Sequence, residues 1–336
     1  MKKKQLVFVP VPGVGHLVSA VQLAKTILER DDSFLITMLA INNPFAGSMS
    51  KHTESLASMH PEIRFIEIPE TITSPPSEAL AVSPASAFTS YVNDHKTLVR
   101  DTIVKLVMAD NPAPIASVVV DMFCTAFIDV ARELGVPSHV FFTSGAAFLA
   151  LMLYLSDRED RGEPKFRPTD PDYTIPCFSN PVPYRVLPLL HSDVEYEAFA
   201  NHGRKFKDSN GIIVNTFSEA ESHAVSALLA RNDIPPIFNV GPLIDHKGKS
   251  VSGSDALVKE LGLAVELTLD FRRDCPADFV KAEEITKAVK SMMEQGGELR
   301  NKAKEISEMA RKAVMEGGSA YAAVGDLIDQ WLESKT

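Results

Sequence analysis

Cysteine is scarce in this sequence: three in 336 residues, Cys124, Cys177 and Cys275, with no C-x-x-C pair. A sparse, odd, scattered set excludes a disulfide framework and a zinc ribbon. It fits a reducing compartment, so a cytoplasmic location is expected. A basic surplus is also lacking: 34 Lys and Arg face 44 Asp and Glu, for a net charge of -10. That removes the basic face a nucleic-acid binder needs. The one triple-basic run, Lys2-Lys3-Lys4, is too short for a phosphate or membrane patch. Histidines at 52, 60, 95, 191, 202, 223 and 246 sit in polar or helical contexts without metal-ligand spacing, and His139 reads as core. No metal site is expected.

Long apolar runs are missing as well. Leu6–Val9 follows lysines like a signal peptide, but Pro10, Pro12, Gly13, Gly15 and His16 break it. A buried first strand explains it better. Residues 134–156 carry no formal charge yet contain Gly135, Pro137, Ser138, His139, Thr143, Ser144 and Gly145. They read as strand, polar turn and buried helix, and no membrane span is expected. Three nucleotide and hydrolase signatures are absent too. G-x-G-x-x-G would need glycine where Val18 stands. Six residues separate Gly241 from Gly248-Lys249-Ser250 where a P-loop has four, and Thr143-Ser144-Gly145 is no nucleophile elbow.

What is present is an alternation. Hydrophobic residues make up 45% and charged ones 23%, ordinary for a globular chain. Apolar strand patterns fall at Leu6–Val9, Phe34–Ala40, Ile63–Ile68, Ile115–Asp121, 138–142, Gly211–Asn215 and Ile237–Gly241. Between them lie helical patterns: Leu17, Val21, Ala24 and Leu28 on one face, one long helix over 85–108, then 124–134, 145–155, 193–207 and 218–230. Residues 157–190 are Pro-rich and polar and read as one long surface loop. Repeated β-α-β units imply a doubly wound parallel sheet over residues 1–241. A Gly/Ser/Lys linker follows at 242–256. The last section, 257–336, offers one strand, Leu263–Leu269, and charged helices broken at Gly296-Gly297 and Gly317-Gly318. One strand makes no sheet. This section must dock on the first unit, pair with another chain, or stay partly disordered.

Chemistry is expected where strands end. Pro12-Gly13-Val14-Gly15-His16 closes the first strand and opens a helix, at the sheet edge where such folds bind ligands. His16 there suits a general base, or merely caps or fills. Asp121 ends a buried strand and would orient such an imidazole, or cap the next helix.

Five stretches in order resemble the plant small-molecule UDP-glycosyltransferases. They are 8–16 (FVPVPGVGH), 120–124 (VDMFC), 142–144 (FTS), 211–217 (GIIVNTF) and 240–243 (VGPL). The resemblance covers residues 1 to about 250, and the branch looks like one acting on flavonoids or terpenoids. It implies a GT-B-type architecture of two Rossmann-like domains. It further implies His16 as catalytic base with Asp121 as its partner, and sugar transfer with inversion from a UDP-sugar. Gly15, Phe123, Phe148 and Phe199 would line the acceptor pocket, each phenylalanine equally readable as core, and Thr143 would lie near the donor sugar. The UDP-sugar is a co-substrate and no cofactor is implied.

The family's donor signature, a box rich in Trp, His, Gly, Asn, Ser and Glu, is missing. The single tryptophan, Trp331, lies in the terminal helix pattern without the following Asn-Ser, and no histidine lies beyond His246. From Leu257 the family pattern resumes with what normally follows the box. The C-terminal domain is therefore read as a truncated, mostly helical remnant, and the activity of the chain alone is expected to be very low. Association with another copy or a relative through an exposed sheet edge is the partner expectation.

Overall fold

The protein is described by a computed structural model covering residues 3–42, 49–71, 83–109, 112–187, 192–243, 281–294 and 296–334. The expected strand Leu263–Leu269, most of the linker, Cys275, His191 and His246 lie outside the described residues.

Seven strands form one sheet: β1 Lys4–Val9, β2 Phe34–Ile41, β3 Ile63–Ile68, β4 Ile115–Asp121, β5 Ser138–Phe142, β6 Gly211–Val214 and β7 Ile237–Asn239. Their order is β3-β2-β1-β4-β5-β6-β7, and every pairing is parallel. The sheet reverses direction of growth between β1 and β4, the switch point of a doubly wound fold. β4 is buried at all seven positions, as a central strand covered on both faces must be.

Strand alternation divides the core into two layers. On β1, Val7 and Val9 face one layer while Leu6 and Phe8 face the other. The first layer is covered by α3 (Pro84–Asp94), α4 (Lys96–Val107), α5 (Ala126–Glu133), α6 (Ala146–Asp160), α7 (Asp193–Phe206) and α8 (Ser222–Leu229). The second is covered by α1 (Val14–Arg30), through Leu17, Ala20, Val21, Leu23, Ala24 and Ile27. α2 (Met49–Met59) adds Leu56 at its margin.

The second layer has another cover, from the far end of the chain. Beyond residue 280 the described chain is helical: α9 Ala282–Glu294, α10 Gly296–Val314 and α11 Ser319–Glu333. α11 lays Val324, Leu327, Ile328 and Trp331 onto the face made by Phe34, Ile36 and Phe8. Trp331 is 1% exposed. Its ring meets Phe34 and His139 edge-on, at centroid distances of 6.1 and 5.4 Å. Its indole N–H donates to His139 Nδ1 at 3.3 Å.

Polar ties frame the same contact. Lys4 Nζ donates to the carbonyls of Trp331, Leu332 and Ser334, at 3.1, 2.8 and 2.8 Å. A cation at these orphan carbonyls also complements the helix dipole. Arg30 donates to Tyr321 O at 2.8 Å, and its guanidinium stacks 3.5 Å from the Tyr321 ring. Of the three fates open to the tail, docking on the first unit is the one α11 adopts.

Two expectations need correction. The single helix over 85–108 is two. α3 ends at Asp94 and α4 starts at Lys96, because His95 turns inward: it is fully buried, accepts no continuing helix geometry (φ -89, ψ 0) and bonds Tyr91 O through Nδ1 at 2.8 Å. The expected 157–190 loop is shorter than read. α6 runs on to Asp160, and the loop carries a bridge between Tyr173 and Val182 and a 3-10 turn at Tyr184–Val186. The uncharged 134–156 stretch resolves into β5, a turn and part of α6. Among the described residues no helix is long and apolar enough to cross a membrane.

Candidate active site

Three neighbouring strands deliver the candidate residues to one edge. β1 and β4 pair with Val9 opposite Val120, and β4 and β5 pair with Asp121 opposite Phe141. Residues just beyond these strand ends are therefore neighbours. The Pro-Gly turn after β1 releases the chain into α1, whose N-cap is Gly13, and His16 falls in its first turn. Asp121 is the last residue of β4, and Thr143 follows the last residue of β5.

His16 Nδ1 lies 2.8 Å from Asp121 Oδ2. The His16 side chain is 30% exposed and that of Asp121 only 1%. The other carboxylate oxygen, Oδ1, accepts from Phe123 N at 3.1 Å. A buried carboxylate can only accept, so Nδ1 carries the hydrogen and Nε2 keeps its lone pair. Among the described residues nothing hydrogen-bonds Nε2. Burial alone would lower the His16 pKa, but the Asp121 charge and its hydrogen bond more than offset this, and the net shift is upward. Such a base stays matched to a hydroxyl proton near neutral pH.

Thr143 Oγ1 stands 3.0 Å from the same Nδ1. The loop bearing it is fixed by Glu221, whose carboxylate accepts from Ala146 N and Ala147 N, at 2.9 and 3.0 Å. The α6 N-terminus is thus closed by an internal anion. The fit is close: a Cβ on Gly145 would stand 2.6 Å from Glu221 Oε2.

The three phenylalanines form a continuous wall beside the dyad. Phe123 lies 6.1 Å from the His16 ring and 6.3 Å from Phe199, and Phe199 lies 5.8 Å from Phe148. Phe123 and Phe148 are half-buried and Phe199 is buried. Gly15 is exposed, and a side chain placed there would meet nothing within 4 Å. Cys124, directly behind, is inert: burial, then the Asp121 charge, pushes its thiol pKa well up. The structure thus gathers His16, Asp121, Thr143 and Phe123 at one point, with Phe148 and Phe199 next to it. Sequence reasoning passed over Glu221 and His202. His202 is buried against Phe123 with a centroid distance of 5.5 Å. Its one sequence signal was its place three residues after Phe199, on the same face of α7.

Trp331 is core packing and has no face free for a ligand. His139, its partner, is buried as expected, and burial holds its pKa down to about 4 against the opposing effect of the hydrogen bond it donates to Gln330 Oε1. No group of three metal-binding side chains occurs among the described residues.

No protein-family model matches the chain. Individual relatives do. UDP-glycosyltransferase 71K2 of Pyrus communis is 29% identical over 473 aligned positions, covering 98% of both chains. UDP-glucose flavonoid 3-O-glucosyltransferase 6 of Fragaria ananassa is 28% identical, covering 98% of this chain and 99% of the relative. The crystal structure of UGT71G1 from Medicago truncatula, complexed with UDP-glucose, superposes with a TM-score of 0.86 at 27% identity, covering 98% of each chain. With Putative UDP-glucose flavonoid 3-O-glucosyltransferase 3 of Fragaria ananassa 37% identical over 77% of this chain and 55% of the relative, the chain belongs to the plant UDP-glycosyltransferases and shares their GT-B fold; by family it is a transferase. It is also truncated: 336 residues stand against 473 aligned positions reaching both ends, so an internal stretch of the relative has no counterpart here.

Proposed function

We propose that the N-terminal unit holds a small, flat, apolar acceptor of flavonoid or terpenoid type, with one hydroxyl at His16 Nε2. The observation that carries this is the 2.8 Å contact between His16 Nδ1 and Asp121, which leaves Nε2 without a hydrogen-bond partner among the described residues, beside the Phe123 ring. In the transfer step the acceptor oxygen bonds the anomeric carbon of a UDP-sugar as the bond to UDP breaks. The hydroxyl proton passes to Nε2, and Asp121 stabilises the imidazolium that forms. Attack opposite the leaving group inverts the anomeric centre. Phe123, Phe148 and Phe199 supply apolar contact, Gly15 leaves room at the turn, and Thr143 lies where the sugar would approach. Glucose is the sugar we favour, and the cytoplasm the location.

The donor half supports a second reading beside it. The signature that would stack uracil and hold the diphosphate has no counterpart here, and the one tryptophan is buried against Phe34 and His139. A nucleoside diphosphate anion needs several such contacts. We infer that this chain alone holds acceptors and turns over UDP-glucose very slowly or not at all.

Calorimetric titration separates the parts. Saturable heat with a flavonol such as kaempferol, and none with UDP-glucose, is the expected result. Absence of flavonol binding would overturn the acceptor reading. Saturable UDP-glucose binding by the monomer would overturn the donor reading and make turnover assays of His16→Ala the next step.

A further inference from the structure

Behind the aromatic wall lies a polar string that the dyad itself does not use. His202 is 3% exposed, on α7, with its ring edge-on to Phe123. Its Nε2 lies 2.8 Å from Thr89 Oγ1 on α3, and its Nδ1 lies 2.9 Å from Thr125 Oγ1, the N-cap residue of α5.

One contact fixes every hydrogen in the string. The Thr89 hydroxyl donates to Ala85 O at 2.7 Å. With its only proton committed there, Thr89 Oγ1 must accept from the ring, so Nε2 carries the hydrogen. Nδ1 is then bare and accepts from Thr125. On the far side, Ala85 N donates to Glu195 Oε1 at 3.3 Å. Glu195 stands at the third position of α7 after its Ser192 N-cap, where a glutamate commonly turns back onto its own helix. Here it reaches across to α3 instead. The donors all point one way, from Thr125 through His202 and Thr89 to the Ala85 carbonyl, an arrangement in which each bond polarises the next, and Glu195 holds the neighbouring peptide group of α3. Burial keeps the ring neutral, pulling its pKa down to about 4 against the attraction of Asp121.

The near end of the string is the turn that carries the site. Cys124 N donates to Asp121 O at 2.8 Å and Phe123 N to Asp121 Oδ1 at 3.1 Å, so residues 121–125 move as one piece. We propose that His202 is a positioning residue for the acceptor site: through Thr125 and its edge contact with Phe123, it pins the 121–125 turn against His16. Asp121 then meets Nδ1, and Phe123 faces the acceptor, because α3 and α7 hold the turn from behind. The inference rests on the acceptor reading above.

The test compares His202→Leu, His202→Gln and the triple variant Thr89→Val, Thr125→Val, His202→Leu in the full chain. Three quantities are read: thermal stability, affinity for kaempferol, and the NMR titration of the His16 ring, assigned as the signal that His16→Ala removes. His202→Leu strands the buried Thr125 hydroxyl and takes from Thr89 the donor it accepts from, while the Thr89 hydroxyl keeps its bond to Ala85 O, and so lowers stability. The triple variant removes those hydroxyls and regains stability. Both variants are expected to weaken kaempferol about 5- to 10-fold and to bring the His16 pKa down toward the ordinary imidazole value. His202→Gln, whose amide N–H can still reach Thr89, recovers part of each. A stable triple variant with wild-type kaempferol affinity and wild-type His16 titration would overturn the proposal and leave His202 a packing residue. Should His202→Leu fail to fold, the triple and Gln variants decide. Wild-type protein that binds no kaempferol, or a Phe123→Ala variant that binds it as tightly, sinks the acceptor reading instead. In that case the His16 titration still decides on the string.

Discussion

Replacing Trp331 tests whether the end of the chain belongs to the core of its beginning. In Trp331→Ala the ring lost is 1% exposed and stands edge-on to Phe34 and His139. Truncating a buried tryptophan to alanine costs about 3–5 kcal/mol when the site cannot collapse, and a sheet face held by α1 and the adjoining strands has little freedom to do so. Trp331→Phe keeps most of the apolar ring. It loses the indole N–H bond to His139, while Ser117 Oγ remains 2.8 Å from the same nitrogen, so no buried group is stranded. That variant is expected to cost about 1 kcal/mol. For a chain of 336 residues, about 4 kcal/mol lowers the melting temperature by roughly 6 °C. The assay is urea unfolding followed by far-UV circular dichroism at pH 7.5. In the wild type, the single tryptophan gives a fluorescence readout of this contact alone. An alanine variant within about 0.5 kcal/mol of wild type, the range of neutral surface changes, would refute the docking of α11 on the sheet.

Other outcomes follow from the same contacts. Asp121→Asn removes the charge that holds the His16 pKa up, so the ring should titrate lower by NMR. An unchanged His16 titration would mean the pair is not formed in solution. Glu221→Ala strips the cap from α6 and should cost about 1–2 kcal/mol in denaturant melts, with Gly145→Ala destabilising through displacement of the same carboxylate. Acid should destabilise the fold well before its carboxylates titrate. His139 and His202 have pKa values near 4 when folded and about 6.5 when unfolded, so the unfolded chain binds more protons between those values. Stability is lost as pH falls from about 6.5 to 4, by roughly 3 kcal/mol per histidine. His16 works in the opposite sense, since its raised pKa favours the folded state below the ordinary value. Melting curves that stay flat from pH 7 to pH 4.5 would contradict the buried neutral rings.

All seven strands were legible from their apolar pattern: 211–214 is wholly and 115–121 nearly all apolar, as strands buried on both faces must be, while the edge strand 63–68 is broken by Arg64 and Glu67. Helix ends were less so. The break at His95 has no proline or glycine to announce it; it depends on a ring that packs 4.7 Å from Tyr91. α2 went unnoticed; little of it is buried, with Thr53 and Leu56 its buried residues. At the site, His16 and Asp121 could be paired on paper because strand ends converge. Their partners could not. Glu221 and His202 act across distances of 75 and 77 residues to Ala146 and Thr125, and polarity in a helix does not say whether a side chain faces water or a neighbouring threonine. Trp331 was read on the terminal helix, but its packing partners were not legible. A lone tryptophan invites a ligand, yet its place on α11 beside Val324, Leu327 and Ile328 makes it part of an apolar stripe.

The docking of α11 also bears on the order in which the chain can be made. A ribosome delivers β1 and β2 first and α11 last, so Phe34, Ile36 and Phe8 wait without part of their cover for some 300 residues of synthesis, the sequence distance at which Lys4 meets Leu332 being 328. Over that interval the half-covered sheet is a surface for chaperones or for aggregation. A nascent chain stopped anywhere before α11 would keep that face bare permanently. A chain that omits material from its middle and still delivers α11 closes that face. Shortening of this architecture is therefore tolerated between the sheet and α11 and penalised at α11 itself, whose loss uncovers the Phe8, Phe34 and Ile36 face.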